Sequence, residues 1–588
     1  MNIMELIVAA EKQLKEGGGQ QAAAQLYQNW LDKNGHEQQA APIWFNLGVI
    51  YSNIGNKEAT LSSYLKAREL MPALWQASGN LGNYYELAGE VDKAIEVYEA
   101  VLNYPIEKEG TIFIRNQLGR LLEGKRNFKE AGDQYFQSLS LDLSQKDAFQ
   151  HWFYLKQKQC EWPLEALPKP SSAREIASSM GTLSAMAYFD DVELLSIACN
   201  DWVKRHKKNK DFYHLVERNK KYGHKKIRIG YVSCDFRMHA VSFLAAQLYE
   251  LHNREKFEVF GFDYSIDEQG PWRKRILDGM DHVLPIHNLT DEDAAKLIQS
   301  QEIDILFDMV GLTSGGRPGI FMYRPAPIQV HYLGFLGPVG IEEIDYMVCD
   351  EYVVPPSVAP FYGAKPIYLP FYQINNNLRQ YSPKPERSAL GLPEDAFVFC
   401  AIINSYKLNP SIFHRWMQIL QKTTNSVLWL LEENDSIKEN LLKEVRKYDI
   451  EESRIIFAKP VDPRDYLSRF QCADLFLDTS PYNAGITGSD AIWMGLPLLT
   501  CPGNTFVSRM AASLLIQLGL NDFVCHDWNE YINKAVQFCE SRNGARMIFE
   551  RHFDRNHPIF SSEVFVKNLE AKLLQTMKDH YKKKASWI

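Results

Sequence analysis

The sequence predicts two architectures in one chain: an all-helical repeat segment, followed by a pair of doubly wound parallel α/β lobes. Three observations carry this expectation. A residue pattern recurs at a spacing of 34 near the N-terminus. From Lys225 onward, apolar strand-like runs alternate with amphipathic helical segments, the signature of a parallel sheet. That series restarts at Phe397, after a polar stretch, Gln373–Arg387, rich in Asn and Pro. With 588 residues the chain exceeds one compact core. Its 45% hydrophobic and 12% aromatic content suits a chain folded throughout.

The repeats come first. Leu47-Gly48, Tyr51 and Gly55 return as Leu81-Gly82, Tyr85 and Gly89. Trp44 opens the first unit, and Tyr64, Ala67 and Pro72 close it; Ala94, Tyr98 and Pro105 close the second. A third copy, Leu118-Gly119, Leu122, Ala131 and Tyr135, is displaced by three residues, which places a longer loop at Pro105–Gly110. This pattern resembles the tetratricopeptide repeat, in which small residues let paired helices approach and aromatics fill the gap. Residues 3–34, with Ala23 and Tyr27, read as a degenerate first hairpin. We assign 1–141 to the repeats and 142–224 to a helical connector.

The first α/β series, 225–380, has strand-like runs at Ile227–Ser233, Val259–Tyr264, Ile303–Met309, Ile328–Leu333 and Tyr346–Val348. The second, 381–588, has them at Phe397–Ile403, Val427–Leu431, Arg454–Phe457, Ala473–Leu477 and Leu496–Thr500, with a closing C-terminal helix. Two Rossmann-like lobes around a cleft follow, with ligands at the carboxyl ends of the strands.

Several residues at those strand ends carry chemistry. The stretch Asp478–Pro497 turns from a buried strand into a helix through Gly485, Thr487 and Gly488. A helix start offers free N–H groups and a favourable dipole to a diphosphate. Asp490, one turn further, can hold a ribose hydroxyl; an acid favoured by the helix dipole is the plain alternative. Lys407 follows the Phe397 strand and precedes Asn409-Pro410, a helix cap with Pro at the first position. There a lysine can neutralise a departing diphosphate, or be merely a solvated loop lysine. Asp235 reads as the cap of the helix that follows the first strand. His239, nearby, can orient or deprotonate a hydroxyl, or only complete the turn. His331, inside an apolar run, reads as a hydrogen-bonded core residue. Gly334 and Gly337 form a strand-end pair suited to close backbone approach. Arg509 opens a further helix, where it can reach phosphate or fix the lobe interface.

Composition excludes other classes. The net charge is −8, from 65 basic and 73 acidic residues, which argues against broad nucleic-acid binding. No apolar run approaches a membrane span, and Met-Asn-Ile-Met-Glu-Leu does not read as a signal peptide. The nine cysteines are scattered, without a CxxC pair, as expected of reduced thiols in a cytoplasmic protein. No histidine or cysteine cluster has metal-ligand spacing, and Asp291-Glu-Asp293 reads as a helix start.

Five motifs occur in one order: Gly230-Tyr-Val-Ser-Cys-Asp-Phe-Arg-Met-His239, Arg324-Pro-Ala-Pro-Ile-Gln-Val-His-Tyr-Leu-Gly334, Asn404-Ser-Tyr-Lys407-Leu-Asn-Pro410, Ser426-Val-Leu-Trp-Leu-Leu431 and Asp478–Pro497. Together with the repeats they closely resemble the O-linked N-acetylglucosamine transferases, glycosyltransferase family 41, over about residues 40–575. The resemblance implies an α-solenoid followed by a GT-B fold. It implies an inverting, metal-independent transfer of GlcNAc or a hexose from a UDP-sugar to Ser/Thr of a polypeptide held by the repeats. It makes Lys407 the residue that stabilises the leaving group and Asp490 the ribose-binding carboxylate. It sets Asn404 at the nucleotide, His239 near acceptor and anomeric centre, and the 334–337 loop at the sugar. Homo-oligomerisation through the repeats is also compatible. The chain departs from the family where His-Thr-Thr precedes the aspartate: here stand Gly485-Ile486-Thr487. Tyr466 stands at a family histidine, and Pro463-Arg464 where relatives have a nearby lysine. These departures leave open another donor, such as GDP-fucose or a CMP-nonulosonate, or asparagine as acceptor. An inactive repeat scaffold is the rival of another class.

Overall fold

The computed structural model describes residues 2–15, 19–164, 172–207, 210–266 and 268–582. By its contacts the chain divides into two compact units, Met1–Leu155 and Lys156–Ile588. The boundary expected at 141/142 falls one helix earlier.

The first unit consists of antiparallel helix pairs: Ala41–Asn53 with Lys57–Leu70, Trp75–Leu87 with Val91–Val101, and Lys108–Gly124 with Phe128–Leu141. Ile3–Lys15 and Gly19–Asn34 form the degenerate first pair. The repeated glycine has one physical cause. A Cβ on Gly48, Gly82 or Gly119 would lie 2.5, 2.3 or 2.8 Å from the ring of Tyr64, Tyr98 or Tyr135 respectively. Each tyrosine ring therefore fills the space that a missing side chain leaves, and the two helices close on that contact. The turn after each first helix is left-handed, at Gly55 (φ 77°) and Gly89 (φ 79°). In the third pair Arg126 takes this conformation at φ 64°.

In the second unit, seven parallel strands make the first sheet: β1 Ile227–Ser233, β2 Phe257–Asp263, β3 His282–Pro285, β4 Ile305–Asp308, β5 Ile328–His331, β6 Tyr346–Cys349 and β7 Lys365–Tyr368. Their order is β3-β2-β1-β4-β5-β6-β7. The sequence pattern missed β3 and β7, which are the two edges. Edge strands tolerate proline and partial exposure, so His-Val-Leu-Pro and Lys-Pro-Ile-Tyr carry no apolar run. The second sheet contains β8 Phe397–Ala401, β9 Ser426–Leu431, β10 Ile455–Ala458, β11 Leu475–Leu477 and β12 Leu498–Leu499, ordered β10-β9-β8-β11-β12. All five fall within or beside the expected runs.

Two features depart from the sequence reading. The last helix, Ser562–Lys582, follows the second lobe but packs Phe565, Val566, Leu569 and Leu573 into the core of the first sheet. There its Glu570 accepts from His252 Nδ1 (2.9 Å), whose Nε2 meets Tyr231 OH at 2.6 Å. The polar stretch Gln373–Arg387, which by composition reads as the linker between the lobes, is packed in at its start: Gln373, Asn375 and Asn376 are buried, and Asn375 Oδ1 accepts from Ser489 Oγ (2.6 Å).

The repeat unit yields a paired test. Gly82→Ala should destabilise it by about 1–3 kcal/mol through overpacking against Tyr98. Arg126→Gly should stabilise it by about 1 kcal/mol by relieving the left-handed backbone. Urea midpoints of the helical signal would show the two shifts in opposite directions.

Candidate functional site

The donor-side residues gather at the carboxyl ends of β8 and β11. After β8 the chain makes a tight turn, Ser405–Lys407, and enters the helix Pro410–Lys422, capped by Asn409 Oδ1 accepting from Ile412 N (3.0 Å). The cap fixes the direction in which Lys407 leaves the turn. Its ammonium donates to the Asn483 carbonyl (3.0 Å) and sits 4.0 Å from the centre of the Tyr482 ring. Burial pushes it down to about 8, against the pull of the Asp478 carboxylate. Lys407 keeps part of its surface open even so. Asn404 is exposed, and its carbonyl accepts from Lys407 N (3.1 Å).

The turn that receives Lys407 is built on Asp478, which follows β11. Its Oδ1 accepts from Thr479 N (2.9 Å) and Ala484 N (2.7 Å), and its Oδ2 from Thr500 Oγ1 (2.6 Å). Its carbonyl accepts from Tyr531 OH (3.0 Å). Burial raises the carboxyl to about 6, although these donors and Lys407 favour its charged form. Asn409 Nδ2 reaches the same turn at the Ser480 carbonyl (2.6 Å), so turn and lysine are tied from both sides.

Gly485 opens the helix Ile486–Trp493. A Cβ at Gly485 would meet Met510 Sδ at 3.2 Å, and one at Gly488 would meet Leu498 Cδ1 at 3.1 Å. Both glycines thus let the helix start lie close to its neighbours. Thr487 is half-buried and lies beside the Tyr466 hydroxyl. Asp490 is only 9% exposed and already faces a cation: Arg379 Nε lies 3.4 Å from its Oδ1. The same guanidinium donates to Ser489 O (3.0 Å) and Oγ (2.8 Å). Burial raises Asp490 to about 6, with Arg379 opposing.

The first-lobe residues are arranged differently. His239, and not Asp235 as expected, caps the helix Ala240–Glu250: its Nδ1 accepts from Val241 N at 3.4 Å. Asp235 Oδ2 lies 3.3 Å from the same Nδ1. A neutral ring accepts at one nitrogen only, so the Val241 bond puts the proton on Nε2 and the Asp235 bond puts it on Nδ1. Only the second state leaves Nε2 a base. Burial lowers His239 below the ordinary imidazole value, with Asp235 raising it and Arg237 adding to the fall. His331 is buried with both nitrogens engaged, Nδ1 with Asp308 Oδ2 (3.2 Å) and Nε2 with the Phe335 carbonyl (2.5 Å). It braces the 334–337 loop from beneath. The glycines of that loop answer packing: a Cβ at Gly334 would lie 2.0 Å from the Met309 carbonyl, and one at Gly337 would lie 2.8 Å from Phe335 and 2.9 Å from Met186. Arg509 stacks its guanidinium 4.9 Å from the Tyr352 ring, which ties the second lobe to the first.

The sequence reading thus finds Lys407 together with the 482–484 turn, but misses four organisers: Asp478, Tyr482, Arg379 and Asp190. Asp190, from the connector, accepts from Asn504 N (2.8 Å) and Ser508 Oγ (2.7 Å) and so holds the loop before Arg509. Asp478 was visible as the acid ending an apolar strand. Nothing local marks Arg379 or Asp190. Among the described residues no three His, Cys, Asp or Glu side chains cluster as a metal site. No described helix is long and apolar enough to cross a membrane.

Comparison with known proteins adds to this geometry. A model of glycosyl transferase family 41 matches residues 196–381 and 374–569, and tetratricopeptide repeat models match 41–73 and 77–108. The chain is 35% identical over 358 residues to a probable UDP-N-acetylglucosamine–peptide N-acetylglucosaminyltransferase, SEC, of Arabidopsis thaliana, covering 59% of this chain and 37% of the relative. It is 26% identical over 427 residues to the UDP-N-acetylglucosamine–peptide N-acetylglucosaminyltransferase of Caenorhabditis elegans, covering 53% of this chain and 37% of that one. The chain thus spans well under half the length of these curated relatives. An O-GlcNAc transferase mutant from Thermobaculum terrenum shares the fold, with a TM-score of 0.62 at 21% identity, over 99% of this chain and 98% of that one.

The Asp478 carboxyl generates a pH test of stability. Unfolded, it ionises near 3.9; folded, near 6. Between those values the folded state keeps a proton that the unfolded state has lost, so this group's contribution is full below about 4 and disappears as pH rises through about 6. Urea midpoints at pH 4.5, 5.5 and 7 should show that decline in the native protein, and Asp478→Asn should reduce it, leaving the part that Asp490, also raised to about 6, contributes.

Proposed function

The chain belongs to glycosyl transferase family 41, and from that premise we propose that it transfers GlcNAc or a hexose from a UDP-sugar to Ser or Thr of a polypeptide held by the repeats. The observation that carries the reading is the half-buried Lys407, its ammonium beside the glycine-opened helix start. In the Michaelis complex the diphosphate would lie across the N–H groups of that helix, with Thr487 as a further donor. Lys407 would move from the Asn483 carbonyl to the phosphate oxygen that gains charge as the glycosidic bond breaks. Preorganised in a half-closed site, it is worth most where charge develops. Asp490, held by Arg379, would accept from a ribose hydroxyl. The acceptor oxygen would attack the anomeric carbon from the opposite side, with inversion, its proton passing to a base for which His239 is the candidate in its Nδ1–H state. This path calls for no metal, since Lys407 and the helix supply the positive potential.

A second reading keeps the fold and changes the donor. Gly485 and Ile486 stand where the family pattern has a histidine and a threonine, and Met510 Sδ lies 3.2 Å from where a Cβ at 485 would stand, so that imidazole and one hydroxyl contact are absent. GDP-fucose or a CMP-linked sugar then competes with a UDP-sugar, and a thermal-shift panel of UDP, GDP and CMP separates the two readings.

Lys407→Ala should lower transfer by about 10²-fold or more while the fold persists; wild-type turnover by that variant would sink the assignment. Lys407 must be protonated to meet a diphosphate, so nucleotide affinity should stay level below about pH 8 and fall above it. Calorimetry across pH 6.5–9.5 checks this, and Lys407→Ala should abolish the decline. Asp490→Ala should weaken nucleotide binding by about ten-fold or more, and unchanged affinity would remove the ribose role.

A further inference from the structure

Ser405 begins the turn that presents Lys407, yet nothing in the sheet holds it, because β8 ends at Ala401. Its polar groups are bound instead from two other parts of the chain. Ser405 N donates to Glu433 Oε1 (2.6 Å), just beyond β9, and Ser405 Oγ donates to the Lys158 carbonyl (2.6 Å). The Lys158 ammonium pairs with Glu433 Oε2, which closes a ring of three residues. Neighbours reinforce it. Cys160 Sγ approaches the Ser405 carbonyl at 3.6 Å, and Asn440 Nδ2 donates to the Gln159 carbonyl (3.0 Å). The Trp162 ring lies 5.5 Å from that of Phe413, in the helix after Lys407. Segment 158–162 therefore grips the turn before the lysine and the helix after it.

We infer that the Lys158–Glu433–Ser405 ring is a positioning device that sets where the Lys407 ammonium stands. The inference rests on the proposed leaving-group role of Lys407. Glu433 and Lys158 keep only 15% and 18% of their side-chain surface exposed, so each charge relies on the other, and loss of one leaves the second poorly solvated. The Glu433 carboxylate then turns to solvent, Ser405 N loses its acceptor, and the turn loosens. None of the three residues touches the diphosphate site, so the effect would pass through Lys407. Displacing a catalytic ammonium by about 1 Å costs on the order of 10²-fold in rate.

The experiment compares the full chain with Lys158→Met, Lys158→Arg and Glu433→Ala. It reads UDP release, melting temperature, and acetic-anhydride labelling of Lys407 by mass spectrometry. Lys158→Met should lower kcat by about ten- to a hundred-fold with KM within about three-fold, the split expected of a group felt in the transition state. Lys407 labelling should rise several-fold (~3 or more) as the turn opens, and Lys158→Arg, which keeps the ion pair, should restore both readouts. A folded Lys158→Met protein with native kcat and native labelling overturns the inference. Should Lys158→Met fail to fold, Glu433→Ala, which removes the acceptor of Ser405 N and the partner of Lys158 together, decides: lowered kcat with raised labelling supports the ring, and native values of both overturn it. If the native chain releases no UDP from any donor, the functional reading fails, while labelling still decides whether the ring positions Lys407.

Discussion

The buried Asp478 carboxylate is the constraint around which the second lobe's site is built. It gathers two backbone N–H groups and a threonine hydroxyl, and its own carbonyl anchors Tyr531. These bonds wind residues 479–484 into a turn whose far end starts a helix and whose Asn483 carbonyl faces Lys407. An acid without such donors would be costly to bury; one that organises a turn and stands near a lysine ammonium is retained. The helix start, the carbonyl that receives the Lys407 ammonium and the position of Gly485 all depend on it.

Around that turn the chain arranges charges in a graded way. Lys407 is pushed towards neutrality by burial, and Asp478 and Asp490 are pushed towards protonation by the same cause. Groups shifted by desolvation at the mouth of a helix mark a place where an incoming anion changes the balance. Arg379 fits this pattern. It compensates Asp490 from a segment that, by composition, is only a linker. The same economy of means appears in the connector, where Asp190 and Lys158 hold two different loops of the second lobe.

The first lobe contributes rigidity more than free chemistry. His331 is spent on Asp308 and the Phe335 carbonyl, and the loop glycines are forced by a carbonyl, a phenylalanine and a methionine. His239 alone keeps an open face, and its tautomer depends on whether Val241 or Asp235 holds Nδ1. The motif around 334–337 therefore reads first as packing: its glycines let the loop lie against Met309, Phe335 and Met186.

Much of this was legible in the sequence, for local reasons. The recurring spacing reflects a glycine and a tyrosine that meet in three of the helix pairs. Alternating apolar runs and amphipathic segments report parallel strands buried on both faces, and Asn409-Pro410 announces a helix start. Edge strands β3 and β7 escaped because half-exposed strands need no apolar run. What only the tertiary structure decided are pairings between distant parts of the chain: Asp490 with Arg379, Ser405 with Glu433 and Lys158, and Lys407 with the Asn483 carbonyl. A sequence sets which groups can ionise and where helices begin. Desolvation and long-range partners set what their charges are, and those exist only once the sheets have formed.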